Sequence, residues 1–380
     1  MWWPDPATAS IAMLKKQRDE IHTIQLETTS RCNLDCTTCL KPPYSHVWQE
    51  HDMDIHLFNR ILSQLPSKVS VHLQGWGEPL LHPDTLVHIG RLKAAGAIVS
   101  FTTNGTVMDR KMATSLIESG LDGLTFSMVG NSSNCQDKLR GAGSFAHLQN
   151  SIRTLCAARD FNSGSLPKVA VSYLLTPESV FEMAGAASWC RKNGVDAFVT
   201  VHLTQASCEN QQKLQLMFLG KVPWRYRLLK AQTYLSAILG KMHLEYGQFR
   251  PTLTPVCDKN PLNCVFIRAT GDVSPCVYLS PPVSEDVAWL YKGVEWRQKP
   301  LIFGNIKETS LMEIWERPEY CYFRESFRTR KGYHDDKLAD ISYSLEGSVA
   351  LENAVKDISE YFASHPSPEA CRCCAKLDGF

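Results

Sequence analysis

Thr29-Ser30-Arg31-Cys32-Asn33-Leu34-Asp35-Cys36-Thr37-Thr38-Cys39 places three cysteines in one short segment, spaced C-x3-C-x2-C. A tetrahedral zinc site or a closed four-iron cluster takes four ligands. Three thiolates this close can hold a cubane and leave its fourth iron open to a small molecule. The plainer reading is three buried or zinc-binding cysteines, and the segments around the triplet decide between the two.

Working outward, the first two-thirds of the chain alternate strand and helix. Apolar strand-like runs fall at 23–28, 69–74, 97–103, 123–128, 168–175 and 195–203. Helix-like stretches fall between them at 55–65, 84–95, 110–119, 144–159 and 178–192. Thr176-Pro177-Glu178 reads as an N-cap, a proline at the first helical position and a first-turn acid. Gly120 and Gly194 sit where helices should end. Six strand-then-helix units imply a parallel sheet with right-handed crossovers, too short for a closed eight-fold barrel. The expected fold is therefore α/β, an open partial (β/α)6 barrel.

In such barrels the chemistry sits on loops after the strands' C-terminal ends. The triplet follows the first strand. Gly75-Trp76-Gly77-Glu78-Pro79 follows the second, Thr102-Thr103-Asn104-Gly105 the third, and Phe126-Ser127-Met128 ends the fourth. Leu139-Arg140-Gly141 lies beyond. The glycines permit close backbone approach to a ligand. Glu78 and backbone carbonyls can accept from an ammonium group, Arg140 can pair with a carboxylate, and Ser127 and Thr103 can contact ribose hydroxyls.

This ordered set resembles the radical S-adenosylmethionine (SAM) superfamily. Trp76-Gly77-Glu78-Pro79 is similar to that family's Gly-Gly-Glu-Pro motif, with Trp in place of the first Gly, and Thr38 stands where an aromatic residue or Met is usual. The resemblance implies a [4Fe-4S] cluster on Cys32, Cys36 and Cys39, with SAM chelating its open iron. It implies SAM contacts from Trp76, Gly77, Glu78, Thr103, Asn104, Ser127 and Arg140.

The C-terminal third brings Cys257, Cys264, Cys276, Cys321, Cys371, Cys373 and Cys374. Residues 265–276 read strand, turn, strand, with Gly271-Asp272 at the turn and Cys276 after Pro275. Phe303-Gly304-Asn305-Ile306 and Ser310-Leu311-Met312-Glu313-Ile314-Trp315 follow. This region resembles the auxiliary-cluster extension called SPASM or, in shortened form, Twitch. The resemblance nominates Cys257, Cys276, Cys371 and Cys374 as ligands of one auxiliary [4Fe-4S] cluster. Cys264 in place of Cys257, Cys373 in place of a neighbour, Cys321 as a further ligand and a zinc knuckle are the alternatives. Cys135, Cys156 and Cys190 read as inert buried thiols. Cys208, just past the sixth strand, is the candidate catalytic hydrogen-atom donor.

The expected organisation is an N-terminal extension at 1–20, the barrel at 21–210, a helical linker at 211–250 and a small α+β auxiliary-cluster domain at 251–380. The formal net charge of +1 and the lack of a basic stripe argue against a nucleic-acid partner. No apolar run approaches a membrane span, and the chain does not open like a signal peptide. A soluble cytoplasmic enzyme is expected, whose 14 cysteines serve metal rather than disulfides.

The resemblance implies a mechanism. Flavodoxin or ferredoxin supplies one electron, SAM is cleaved to a 5′-deoxyadenosyl radical, and that radical abstracts a hydrogen atom from substrate. The auxiliary cluster then assists a net oxidation or rearrangement. Two substrate classes stand: a small molecule such as a sugar, nucleotide or natural-product precursor, and a peptide or protein. Only 31 residues precede Cys32, short for a leader-binding domain, which favours the small molecule. The segments at 75–81 and 303–315 also resemble maturases of tungsten-dependent oxidoreductases. A non-catalytic iron–sulfur or zinc scaffold is the reading from another class.

Overall fold

The structure is a computed structural model that describes residues 20–161, 165–217, 222–239, 242–339, 341 and 345–380. The expected N-terminal extension lies, apart from Glu20, outside the described residues.

Six parallel strands form where the apolar runs predict them: β1 (Thr23–Leu26), β2 (Ser70–Leu73), β3 (Ile98–Thr103), β4 (Gly123–Met128), β5 (Lys168–Leu175) and β6 (Ala197–His202). Between them run α1 (Ile55–Leu62), α2 (Thr85–Ala94), α3 (Arg110–Glu118), α4 (Ser133–Arg140), α5 (Ser144–Phe161) and α6 (Met183–Lys192). The first four strands alternate, as a pleat requires. Ile24, Leu26, Val71, Leu73, Val99, Phe101, Leu124 and Phe126 are all at most 1% exposed and join the helices in one core. The opposite face carries Gln25, His72, Ser100, Thr102, Thr125, Ser127 and Ser172, so the concave side of the sheet is polar. There His72 bonds Ser100 Oγ through Nδ1 at 2.8 Å, and Thr102 Oγ1 through Nε2 at 3.0 Å.

Local stop signals hold: Gly120 and Gly194 take φ of +77° and +80°. The start of α6 differs from expectation. Thr176 and Ser179 cap one another, each hydroxyl accepting the other's backbone N–H, at 2.8 and 3.0 Å. This closes a 3-10 turn at Ser179–Phe181 before α6 begins at Met183.

The segment expected as a linker builds barrel wall instead. After the short α7 (Glu209–Gln212), α8 (Trp224–Ile238) leads into β7 (His243–Glu245), which pairs parallel with β6. The C-terminal region also joins the sheet. β8 (Cys264–Ile267) pairs parallel with β1, in the register Thr23↔Cys264 to Leu26↔Ile267. β9 (Asp272–Ser274) returns antiparallel to β8 through the Gly271 turn, where φ is +92°. After the separate hairpin β10 (Val287–Tyr291) and β11 (Val294–Gln298), β12 (Gly304–Asn305) pairs with β9. Among the described residues the open sheet runs β12-β9-β8-β1-β2-β3-β4-β5-β6-β7.

A capping box of Ser310 and Glu313 starts α9 (Leu311–Trp315). The long stretch before the last cysteines is a helical hairpin, α10 (Pro318–Leu338) and α11 (Leu345–Ser364), with Tyr333 stacked on Tyr361 at 3.7 Å. It returns the chain to the sheet, so that Cys371 and Cys374 reach Cys276. Among the described residues no helix is long and apolar enough to cross a membrane.

Candidate functional site: two cysteine centres on one sheet

The parallel strands put the cysteine triplet, the 74–79 loop, the 103–106 turn and α4 at the same end of the sheet. Cys39 N donates to Cys36 O at 2.9 Å, so the C-x2-C pair closes a single turn. Thr37 N donates to Leu139 O at 2.9 Å, and Lys41 Nζ to Cys32 O at 2.9 Å. From below, Gln211 on α7 clamps the loop. Its Nε2 donates to Cys39 O at 2.7 Å and Thr37 O at 3.1 Å, while its Oε1 accepts from Ser207 N at 2.8 Å.

Burial pushes the Cys32 thiol up to about 11 and Cys39 up to about 12, and the neighbouring cysteines raise both further. Desolvated thiols at Cys32 and Cys39 become thiolate far more readily beside a cationic metal. The three-cysteine donor set fits an iron cluster with one open iron.

Glycine lets the second loop close onto the first. A Cβ at Gly77 would fall 2.3 Å from Thr29 O, and one at Gly75 would fall 2.2 Å from Glu27 Oε2. Trp76 N donates to Glu27 Oε2 at 2.8 Å, and its indole Nε1 donates to Val277 O, just after Cys276, at 3.1 Å. Its ring meets Trp48 and Tyr278 edge-on, at 6.0 and 6.2 Å.

Glu78 is 2% exposed and turned inward. It accepts from Leu80 N at 3.1 Å, Thr103 Oγ1 at 2.8 Å and Asn104 N at 2.7 Å. Burial pushes its carboxyl up to about 7 against those bonds. Glu78 and Thr103 thus brace the two loops against each other, and their polar atoms are engaged within the protein rather than free for an ammonium or a ribose. Asn104 Nδ2 donates to Asn33 Oδ1 at 2.9 Å, reaching the cluster loop. Ser127 lies on the concave face of β4. Arg140 ends α4, and its Nε is buried without a hydrogen-bond partner among the described residues. Its charge acts on both Glu78 and Cys39. A half-buried guanidinium with its Nε unmatched beside the triplet is suited to a carboxylate.

Cys257, Cys276, Cys371 and Cys374 line one small cavity of about 20 Å³. Cys374 N donates to Cys371 O at 3.2 Å, the same turn as in the first loop. Burial, together with the other cysteines, pushes Cys257 up to about 12 and lifts Cys276 and Cys371 further. Four converging thiols fit a closed cluster. Cys373 also borders the cavity, but its Sγ donates to Gln298 Oε1 at 3.7 Å. Cys321 receives Arg324 Nη2 at 3.4 Å and faces Trp315 O, and Cys264 is buried in β8; neither lines the cavity. Cys208 is half-buried at the N-terminus of α7.

Sequence reasoning passed over Gln211, Gln205, Lys259 and Lys376. Gln205 Nε2 donates to Cys374 Sγ at 3.5 Å, and both lysines line the four-cysteine cavity. Only the adjacency of the lysines to Cys257 and Cys374 could have drawn notice.

Residues 26–190 match the model of the radical SAM superfamily, and residues 257–338 that of the SPASM iron–sulfur cluster-binding domain. The chain is 27% identical over 309 residues to the tungsten-containing aldehyde ferredoxin oxidoreductase cofactor-modifying protein of Pyrococcus furiosus, covering 79% of this chain and 82% of that protein. It is 24% identical over 315 residues to the AdoMet-dependent heme synthase of Methanosarcina barkeri, covering 78% and 82%. The crystal structure of Streptococcus suis SuiB bound to S-adenosylmethionine shares the fold, with a TM-score of 0.56 at 17% identity, over 80% of this chain and 68% of that one.

Proposed function

We propose, since this chain belongs to the radical SAM superfamily and carries a SPASM iron–sulfur cluster-binding domain, that it performs a net oxidation or rearrangement of a small molecule, a cofactor or its precursor. The observation that carries this reading is the pair of cysteine sites attached to a single sheet, three thiols in one and four in the other. The substrate class draws support from two relatives aligned over 82% of their length, whose names refer to cofactor modification and to heme synthesis.

SAM and the two clusters supply a 5′-deoxyadenosyl radical and a one-electron acceptor or relay when bound. The chain supplies the rest. Cys32, Cys36 and Cys39 would hold the cluster that SAM joins, and Gly75 and Gly77 let the second loop pack directly on the segment that carries them. Arg140 pairs with the methionine carboxylate, and Ser127 offers a hydroxyl to the ribose. Trp76, Glu78, Thr103 and Asn104 keep the loops at fixed separation. Cys257, Cys276, Cys371 and Cys374 hold the auxiliary cluster. Cys208 would be the donor that returns a hydrogen atom in a redox-neutral reaction. A flavodoxin or ferredoxin is the electron source.

The test is anaerobic reconstitution with iron and sulfide, followed by dithionite and SAM. About eight irons per chain and 5′-deoxyadenosine are expected. Cys32→Ala/Cys36→Ala/Cys39→Ala should retain about four irons and release none. Undiminished 5′-deoxyadenosine from that variant would refute the assignment. Turnover of a peptide but of no small molecule would move the substrate to the other class.

A further inference from the structure

The wall of the four-cysteine cavity is not neutral. Lys259 and Lys376 both line it, with side chains only 17% and 11% exposed. One carboxylate serves both: Asp258 Oδ2 lies 2.9 Å from Lys376 Nζ and 3.9 Å from Lys259 Nζ. Both ammonium groups stand off the same ring, Tyr278, at 5.9 and 6.0 Å from its centroid. Two cations and one anion leave one uncompensated positive charge beside the thiols, in a place that water reaches poorly. Gln205 adds an N–H directed at Cys374 Sγ at 3.5 Å. The amide of Gln298, whose Nε2 is buried without a partner among the described residues, borders the same space.

We propose that Lys259, Lys376 and Gln205 set the reduction potential of whatever iron–sulfur cluster these four cysteines hold, keeping it high enough to receive an electron from a substrate radical. The inference rests on the reading of this cavity as a cluster site. A four-thiolate cluster is anionic in both oxidation states and gains one more negative charge on reduction. Nearby positive charge in a low-dielectric wall stabilises the reduced form more than the oxidised form. Hydrogen bonds to the sulfurs act in the same direction. Lys376 and Lys259 are positioning residues in this sense: they alter the energy of an electron arriving at the cysteines and touch no substrate.

The experiment uses the full chain carrying Cys32→Ala/Cys36→Ala/Cys39→Ala, so that only the four-cysteine site loads iron. The reduced cluster is followed by electron paramagnetic resonance in a redox titration. Lys376→Met should lower the reduced-to-oxidised ratio at a fixed potential by about tenfold, which is ~59 mV for one electron. Lys259→Met should shift it the same way, and Lys376→Arg, which keeps the charge, should restore it. Asp258→Asn removes the counter-charge and should shift the midpoint in the opposite direction. That variant and Lys259→Met carry the test if Lys376→Met fails to load iron. About four irons per chain with an unmoved midpoint would overturn the tuning proposal alone. A triple-alanine parent that binds no iron would overturn the cluster reading beneath it.

Discussion

Replacing Gln211 by leucine should loosen the first cysteine loop without touching a cysteine. Gln211 is 3% exposed and its side chain makes four hydrogen bonds: to Thr37 O and Cys39 O as donor, and from Ser207 N and Ser207 Oγ as acceptor. Leucine fills a similar volume and makes none of them. The Ser207 hydroxyl can turn elsewhere, but two carbonyls and one N–H are stranded. Each unmet buried polar group costs about 1–3 kcal/mol, so the three cost about 3–9 kcal/mol, and the extra apolar burial returns roughly 1–2 kcal/mol, for a net loss of about 1–8 kcal/mol. The loss falls on the loop that carries Cys36 and Cys39. The expected outcome is a lower urea midpoint for the apoprotein and incomplete loading of the SAM-site cluster, with the four-cysteine site still filled. Gln211→Glu is the sharper control: it keeps an acceptor for Ser207 but sets a carboxylate against two carbonyl oxygens, and should be at least as damaging. Full iron content and an unchanged midpoint in Gln211→Leu would refute the clamp.

Two further outcomes follow from the same geometry. Arg140→Gln should weaken SAM binding by roughly 10- to 100-fold, the worth of about 1.5–3 kcal/mol for a charged hydrogen bond, with iron content unchanged; equal SAM affinity in anaerobic calorimetry would remove Arg140 from the site. His88 is fully buried against Phe58 at 4.1 Å, neither ring nitrogen has a partner among the described residues, and burial pushes it from 6.5 down to about 4. The folded chain therefore refuses a proton that the unfolded chain accepts. Stability is complete above pH 6.5 and is lost as pH falls from there towards 4, by about 2 kcal/mol at pH 5 from this residue. In His88→Leu the difference between urea midpoints of the apoprotein at pH 7 and pH 5 should shrink; an identical difference would show that His88 does not carry the acid sensitivity.

What the sequence disclosed and what it withheld divide along the range of the interactions. The six barrel strands were legible because each is a short apolar run bounded by its own turn residues. The two C-x2-C pairs, Cys36/Cys39 and Cys371/Cys374, were legible because each closes within one turn, a property of local spacing. The pairing of β8 with β1 was not, since four buried residues carry no record of a partner some 240 positions away. Gln211 looked like helix packing because its carbonyl partners lie 172 and 174 positions back. Glu78 was found as a motif residue, but a sequence cannot tell a carboxylate facing a ligand from one bound to its own backbone. The lysines at 259 and 376 acquire meaning only when the helical hairpin of α10 and α11 brings them to one cavity.

The seam between β1 and β8 fixes a dimension. Cys32 departs from β1 and Cys276 from the strand beside β8, and the ladder between them continues through Glu27 N to Ile267 O at 2.9 Å. Glu27 then ties Trp76 on one side to Ala269 on the other. The cysteine centres therefore cannot be drawn apart to admit a bulky guest without tearing hydrogen bonds in the middle of a sheet. The hairpin of β10 and β11 belongs to no other sheet; it is held by Val287 and Trp289, buried against Leu40 and Tyr44, and by bonds such as Ala288 N to Tyr44 Oη and Leu290 N to Ala206 O, each 2.7 Å. The seam is thus a gauge of constant width, set by backbone hydrogen bonds rather than by side-chain packing.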